Sequence, residues 1–298
     1  MKKIVVAPDS FKGSLTSAEV ADAVERGIKD VFPQCNVVKA GVADGGEGTV
    51  EAIVKAVGGA MYAASVTDPL GRPVKATYGI VRSGGVKTAV MEMSAASGLP
   101  LLLPDELNPW ITSTYGTGEM ISDALNRGCR KFLVGIGGSA TNDAGTGMLS
   151  ALGVRFLDSS GQRLKGCGKD LESIARIDMS SLIPAARESE FIVACDVNTP
   201  FCGPDGAARV FAPQKGANHQ TTEALDRGMR SFAQVIAGQF QTDIVPLSGA
   251  GAAGGLGGAF KAFLNARLTA GIEMVLDAIA FDSLLEGASL VITGEGRI

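Results

Sequence analysis

The chain has 298 residues, 46 % of them apolar, which is enough material for a sizeable core in about two domains and fits neither a disordered chain nor a small disulfide scaffold. Its 27 Lys and Arg stand against 31 Asp and Glu, a formal net charge of −4 that leaves no basic field for a nucleic-acid backbone or an anionic membrane and points to a small-molecule partner. The 40 glycines are about twice the ordinary share and fall in discrete clusters, the pattern of a backbone shaped around ligands.

Ile4-Val5-Val6-Ala7, a β-branched run ending at Pro8-Asp9, is too short for the apolar part of a signal peptide and reads as a first strand. A cytoplasmic protein is expected. Thr16 to Val31 then carries Val20, Val24, Ile28 and Val31 at helical spacing. Residues 36–43 repeat the strand, followed by Asp44-Gly45-Gly46-Glu47-Gly48 and a helix through Val50, Ile53, Val54 and Val57. Residues 61–98 change grammar: they alternate, with turns at Asp68 to Gly71 and Ser83 to Gly85, and predict antiparallel hairpins. A third strand-to-helix unit runs from Lys131 to Ile136 into glycines and the helical stretch Thr146 to Leu152. A second interruption starts near Val154, turns at Asp158 to Gly161, and holds a buried-type strand, Phe191 to Cys195. Ser289 to Thr293 is the fourth strand of the first grammar, and no segment is apolar for long enough to span a membrane.

The expected fold is α/β: a discontinuous Rossmann-like parallel-sheet domain (residues 1–60, 111–150 and 283–298) hosting an inserted mixed α/β domain (61–110 and 151–282). Cysteines 35, 129, 167, 195 and 202 form no Cys-x-x-Cys pair and are expected to be reduced. His219 is the only histidine, too little for a His-based metal cage or a Ser-His-Asp triad, and reads as a surface residue.

Ligands of an open parallel sheet bind beyond the carboxyl ends of its strands, where loops and helix N-termini offer unpaired N–H groups. Four strands here end in polar glycine clusters: Asp9 to Ser14, Asp44 to Thr49, Gly137 to Asp143, and Thr293 to Arg297. Any one of them reads equally well as a turn and a helix cap; four together point to a site. These segments, with Ala7-Pro8-Asp9-Ser10-Phe11-Lys12-Gly13, Thr112 to Glu119, Ala194-Cys195-Asp196-Val197 and Pro213-Gln214-Lys215-Gly216-Ala217, resemble the class I bacterial glycerate kinases over the whole chain. The resemblance implies ATP- and Mg²⁺-dependent transfer of a γ-phosphoryl group to D-glycerate, giving 2-phosphoglycerate. Family chains continue past Gly294-Glu295-Gly296-Arg297, so the resemblance also implies that the family's C-terminal elements are missing here.

The residue types fit that chemistry, since a small hydroxy acid needs a cation and an acceptor, and phosphoryl transfer needs positioning and charge neutralisation. Lys12 is a candidate for contacting substrate or transferring phosphate, or else a solvated loop lysine. Ser10, Gly45 and Gly294 are candidate substrate or phosphate contacts in the same clusters. Asp44 and Glu47 are candidate Mg²⁺ ligands through water, with Asp44 also a substrate contact; Glu47 alternatively favours a helix N-terminus. Gly137, Gly138, Ser139 and Asn142, with Asp143, predict an anion-cradling turn at the start of a helix, tight strand-to-helix packing being the alternative. Asp196, Asp143 and Glu295 are equal candidates for the general base. Lys215 reaches phosphates from the opposite wall or lies exposed.

Gly249-Ala250-Gly251-Ala252-Ala253-Gly254 matches G-x-G-x-x-G, with Glu273 about 20 residues on. An NAD-dependent oxidoreductase would follow, but the chain beyond Gly249 allows one βαβ unit rather than a dinucleotide domain. The glycine run stays a candidate phosphate loop for ATP, with close helix packing as its plainer role. A non-catalytic anion- or nucleotide-binding protein using the same loops is the other alternative, and oligomeric state leaves no sequence signature.

Overall fold

Three β-branched residues, Ile4, Val5 and Val6, are almost wholly buried, so the first strand is the centre of a sheet and not its edge. The computed structural model describes residues 2–11, 14–43, 45–46 and 48–295. Its strands, in chain order, are β1 (Lys3–Pro8), β2 (Asn36–Lys39), β3 (Gly59–Thr67), β4 (Pro73–Ser83), β5 (Val86–Glu92), β6 (Lys131–Gly135), β7 (Arg155–Leu157), β8 (Arg176–Asp178), β9 (Glu190–Ala194), β10 (Arg267–Thr269) and β11 (Leu290–Gly294). A three-stranded sheet has the order β11-β1-β2, all parallel; the larger, six-stranded sheet has the order β10-β9-β6-β5-β4-β3; and β7 and β8 form a separate antiparallel pair. In the larger sheet β10, β9, β6 and β5 run parallel, and β5-β4-β3 is an antiparallel meander.

The mixed α/β architecture and the hairpins turning at 68–71 and 83–85 agree with expectation. Strand β6 does not. Grouped in the sequence with β1, β2 and β11, it pairs instead with β5 and β9, so 131–135 belongs with 59–92 and departs from the division drawn at 111–150. The cause is that an apolar run reports burial on both faces but not which neighbour provides it. Phe132 of β6 stacks on Phe191 of β9 at 4.6 Å between ring centres, and that contact chooses the sheet.

Helix Ser17–Val31 starts at a capping box, in which Thr16 Oγ1 accepts from the Glu19 N–H at 3.3 Å and the Glu19 carboxylate accepts from the Thr16 N–H at 2.8 Å. Helices Thr49–Val57 and Gly271–Ala278 share one apolar cluster with Val5 and Ala7 of β1 and with Val90, Leu133 and Ile192 of the larger sheet, which joins the two sheets. The main core lies on the larger sheet's other face, under helices Tyr115–Asn126, Thr146–Ala151, His219–Phe240 and Ala252–Leu264. Because β1 and β2 run parallel, the carboxyl ends of both emerge at one edge, as do those of the parallel strands β5, β6 and β9, and this aligns the loops named above.

Phe191 is 2 % exposed and also lies 5.8 Å from the Phe260 ring. Phe191→Ala is expected to cost about 3–5 kcal/mol in urea unfolding, the penalty of a large core cavity; a loss below about 1 kcal/mol would show that the ring does not lock β9 to its helix layer.

Candidate active site

Two hollows flank the loop that follows β2. Gly41, Val42, Ala43 and Gly48 line the larger, about 940 Å³, with Asp9 and Ser10 beyond β1, Lys39, and Glu92 at the end of β5. Gly45 and Gly46 line the smaller, about 260 Å³, with Gly137, Gly138 and Ser139 beyond β6, Asp196 beyond β9, Gln214 and Lys215, and Ala252 and Ala253. Gly45 is at φ +84°, and a β-carbon there would stand 2.6 Å from the Ala194 methyl, so the loop passes β9 closely only as glycine.

Lys215 dominates the smaller hollow. The short turn Pro213–Lys215 ends at Gly216, whose φ of +95° and fit against the Leu107 carbonyl leave no room for a side chain. That turn points Lys215 inward, where it is 1 % exposed and its Nζ donates to Ser139 Oγ and to the Thr141 carbonyl, both at 2.6 Å. Burial pushes its pKa down from 10.5 to about 7, against the opposing pull of the Asp143 charge. The exposed alternative for Lys215 is thereby excluded. A buried, titration-shifted cation on a cavity wall is the arrangement expected of a working residue.

Asp143 is fully buried, lines neither hollow, and its carboxylate accepts from the Thr114 N–H at 2.7 Å, Thr114 Oγ1 at 2.8 Å, the Gly145 N–H at 3.1 Å and the Gly147 N–H at 3.2 Å. Those bonds fasten the starts of helices Tyr115–Asn126 and Thr146–Ala151 to one another. Burial raises its pKa even against these donors. It is an internal anchor rather than a base at a ligand. Asn142 is likewise fully buried outside both hollows, with Nδ2 donating to Met229 Sδ at 3.2 Å and Oδ1 unpartnered.

The turn at Gly137 and Gly138 does not open a helix, which was the expectation; the next helix begins at Thr146. Instead Gly138, at φ +71°, presents its carbonyl to the Leu99 N–H at 2.9 Å, and Ser139 pairs as an antiparallel bridge with Gly98. Asp196 is exposed, and its Oδ1 accepts from the Gly271 N–H at 2.9 Å, capping helix Gly271–Ala278 from the cavity side. Ser10 lines the larger hollow, its N–H donating to Asp9 Oδ1 at 2.6 Å. Gly294 ends β11 and accepts from the Asp9 N–H at 2.9 Å, but neither it nor exposed Glu295 lines a hollow. Lys12, Asp44 and Glu47 lie outside the described residues.

Six of the expected residues, Gly45, Gly137, Gly138, Ser139, Asp196 and Lys215, thus converge on one cavity. Sequence reasoning missed Phe211 and Gln214 there, and Glu92 in the larger hollow, where its Oε1 accepts from the Val50 N–H at 3.3 Å. Glu92 ends an apolar strand, the one signal that could have marked it. Residues 244–247 form no strand, so the glycine run at 249–254 lacks the strand a dinucleotide fingerprint requires. It still supplies Ala252 and Ala253 to the smaller hollow. Among the described residues no three His, Cys, Asp or Glu side chains group as a metal cage, and no helix is long and apolar enough to cross a membrane. All five cysteines are free, and His219 is exposed.

Residues 4–298 match the sequence profile of the Glycerate kinase family. The chain is 49 % identical over 296 residues to a glycerate kinase of Bacillus subtilis (strain 168), covering 99 % of this chain and 77 % of that protein. It is 47 % identical to a glycerate 2-kinase of Escherichia coli (strain K12), again over 99 % of this chain and 77 % of the relative. A crystal structure of a candidate glycerate kinase 2 from Salmonella typhimurium LT2 superposes with a TM-score of 0.96 at 47 % identity, over 99 % of this chain and 79 % of that one.

Lys215 makes stability depend on pH in a defined direction. Unfolded, the amine keeps its proton up to about 10.5; folded, it releases it near 7, so between those values the unfolded chain binds more protons and stability rises with pH. In urea unfolding between about pH 6 and about pH 10, the native chain is expected to gain on Lys215→Met by up to about 1.4 kcal/mol per pH unit above neutrality. A flat difference would show that the amine holds its proton in the fold.

Proposed function

The chain belongs to the glycerate kinase family, and from that premise we propose that it transfers the γ-phosphoryl group of ATP to the 2-hydroxyl of D-glycerate, giving 2-phosphoglycerate and ADP. The observation that carries the assignment of roles is Lys215: a buried cation, bonded to Ser139 Oγ, on the wall of a cavity that also holds Asp196. Volume divides the two ligands. Ligand pockets are roughly 300–1,000 Å³, so the larger hollow, about 940 Å³, suits a nucleotide, and the smaller, about 260 Å³, suits a three-carbon acid. The loop between them lines both, so a triphosphate lying over Gly45 and Gly46 brings its terminal group to the acid.

In this scheme Lys215 receives the glycerate carboxylate, and Ser139, already turned toward Nζ, fixes the acid's orientation. Asp196 accepts the hydroxyl proton as the acceptor oxygen bonds to phosphorus and the bond from phosphorus to the β,γ-bridging oxygen breaks. Ser10, at the end of β1, meets the phosphates, and Lys12 is proposed to contact substrate or transfer phosphate. Asp9 and Glu92 line the larger hollow with oxygen donors that suit a hard cation, and Asp44 and Glu47 are proposed as further Mg²⁺ ligands, partly through water. When bound, Mg²⁺ neutralises charge on the β- and γ-phosphates.

A coupled assay with ATP, Mg²⁺ and D-glycerate is expected to release ADP, and phosphorus NMR to find the ester at carbon 2. Asp196→Asn keeps an acceptor for the Gly271 N–H and is expected to melt near the native temperature while kcat falls by about 10²–10⁴. Tight glycerate binding in calorimetry with no ADP release would make this an anion-binding protein instead; unchanged turnover in Asp196→Asn would remove Asp196 as base.

A further inference from the structure

At position 253 glycine would be the easier residue. Residues 253–255 pass consecutively through the left-handed region at the start of helix Ala252–Leu264, with φ of 53°, 67° and 93°. Two of the three are glycine for a steric reason: a β-carbon on Gly254 would stand 2.2 Å from the Thr141 carbonyl oxygen, and one on Gly255 would stand 2.8 Å from Met229 Cε. Ala253 keeps its β-carbon in a conformation that strains alanine and not glycine. The turn itself does not need that methyl, which also packs at the margin of the main core.

What the methyl does have is a place on the cavity wall. Ala253 is 9 % exposed and lines the smaller hollow. Its neighbour Gly254 packs on the Thr141 carbonyl, the same oxygen that accepts from Lys215 Nζ. Ala253 and Lys215 thus line the same hollow, in which the carboxylate and adjoining carbon of an acid held at Nζ would lie. Resting on the function proposed above, we infer that Ala253 is a specificity-determining residue, whose methyl closes the space beside carbon 2 and rejects acids substituted there.

The test compares D-glycerate with 2-methylglycerate in the unaltered chain, Ala253→Gly and Ala253→Ser. One methyl in a fitted pocket discriminates about 10- to 200-fold. The unaltered chain should prefer D-glycerate by such a factor in kcat/KM, and Ala253→Gly should reduce the preference at least about tenfold. Its melting temperature should stay within about 4 °C, because relief of strain offsets the freedom that glycine adds to the unfolded chain. Ala253→Ser, which narrows the same hollow, should raise KM for D-glycerate severalfold with kcat nearly unchanged. An unchanged preference in a stable Ala253→Gly variant overturns the inference, as does an unchanged KM in Ala253→Ser if the glycine variant fails to fold. Calorimetric Kd values for the two acids give the same ratio without turnover. Binding with no ADP release would sink the kinase proposal alone, and failure to bind either acid would sink both.

Discussion

One buried ammonium group constrains the rest of this site. Removing a lysine from water is costly unless hydrogen bonds and an opposite charge compensate, and here Ser139 Oγ, the Thr141 carbonyl and the Asp143 charge do so only in part, from a single segment. That segment is held in turn. Thr112 Oγ1 donates to the Ala140 carbonyl at 2.9 Å, the Ala144 N–H donates to Gly254 O at 2.9 Å, and Asp143 binds the N-terminal ends of two helices. Such saturation explains why Asp143 is poorly suited to exchange protons with a ligand, although a carboxylate near a strand end reads naturally as a base.

The incomplete compensation is what makes Lys215 useful. An amine whose proton is held weakly gains more from an arriving anion than one already paired in an ion bridge. Anion binding in the smaller hollow would strengthen the hold on that proton. A phosphoryl-transfer site profits from this, since its task is to neutralise charge brought by its ligands and not to store a strong field in their absence. Asp196, by contrast, stays exposed at the mouth, with a helix N-terminus to steady it.

Much of the local structure was legible. The helix at 17–31, the hairpins between 59 and 92 and the parallel strands at 4–7 and 290–293 follow from period, β-branching and turn residues, all short-range signals. The sheet that receives β6 was not, because strand partners are chosen by long-range contacts such as Phe132 on Phe191. Two of the glycine clusters, with Asp196 and Lys215, send six expected residues to one cavity. Burial was the illegible part: Pro213-Gln214-Lys215-Gly216 has the composition of an exposed turn, and only its packing against Leu107 turns the lysine inward.

Backbone conformation was hidden for a related reason. Glycine announces a left-handed residue; alanine conceals one, and Ala144 and Ala253 both adopt it, at φ 51° and 53°. They occur where two irregular segments press together, Ala144 against Gly255 and Gly254 against Thr141 and Asn142. Strain of this kind persists only where surrounding contacts over-determine the backbone. Here those contacts are the ones that position the Thr141 carbonyl under Lys215 Nζ, so a left-handed backbone turn and a buried charge are parts of one arrangement, each fixing the geometry of the other.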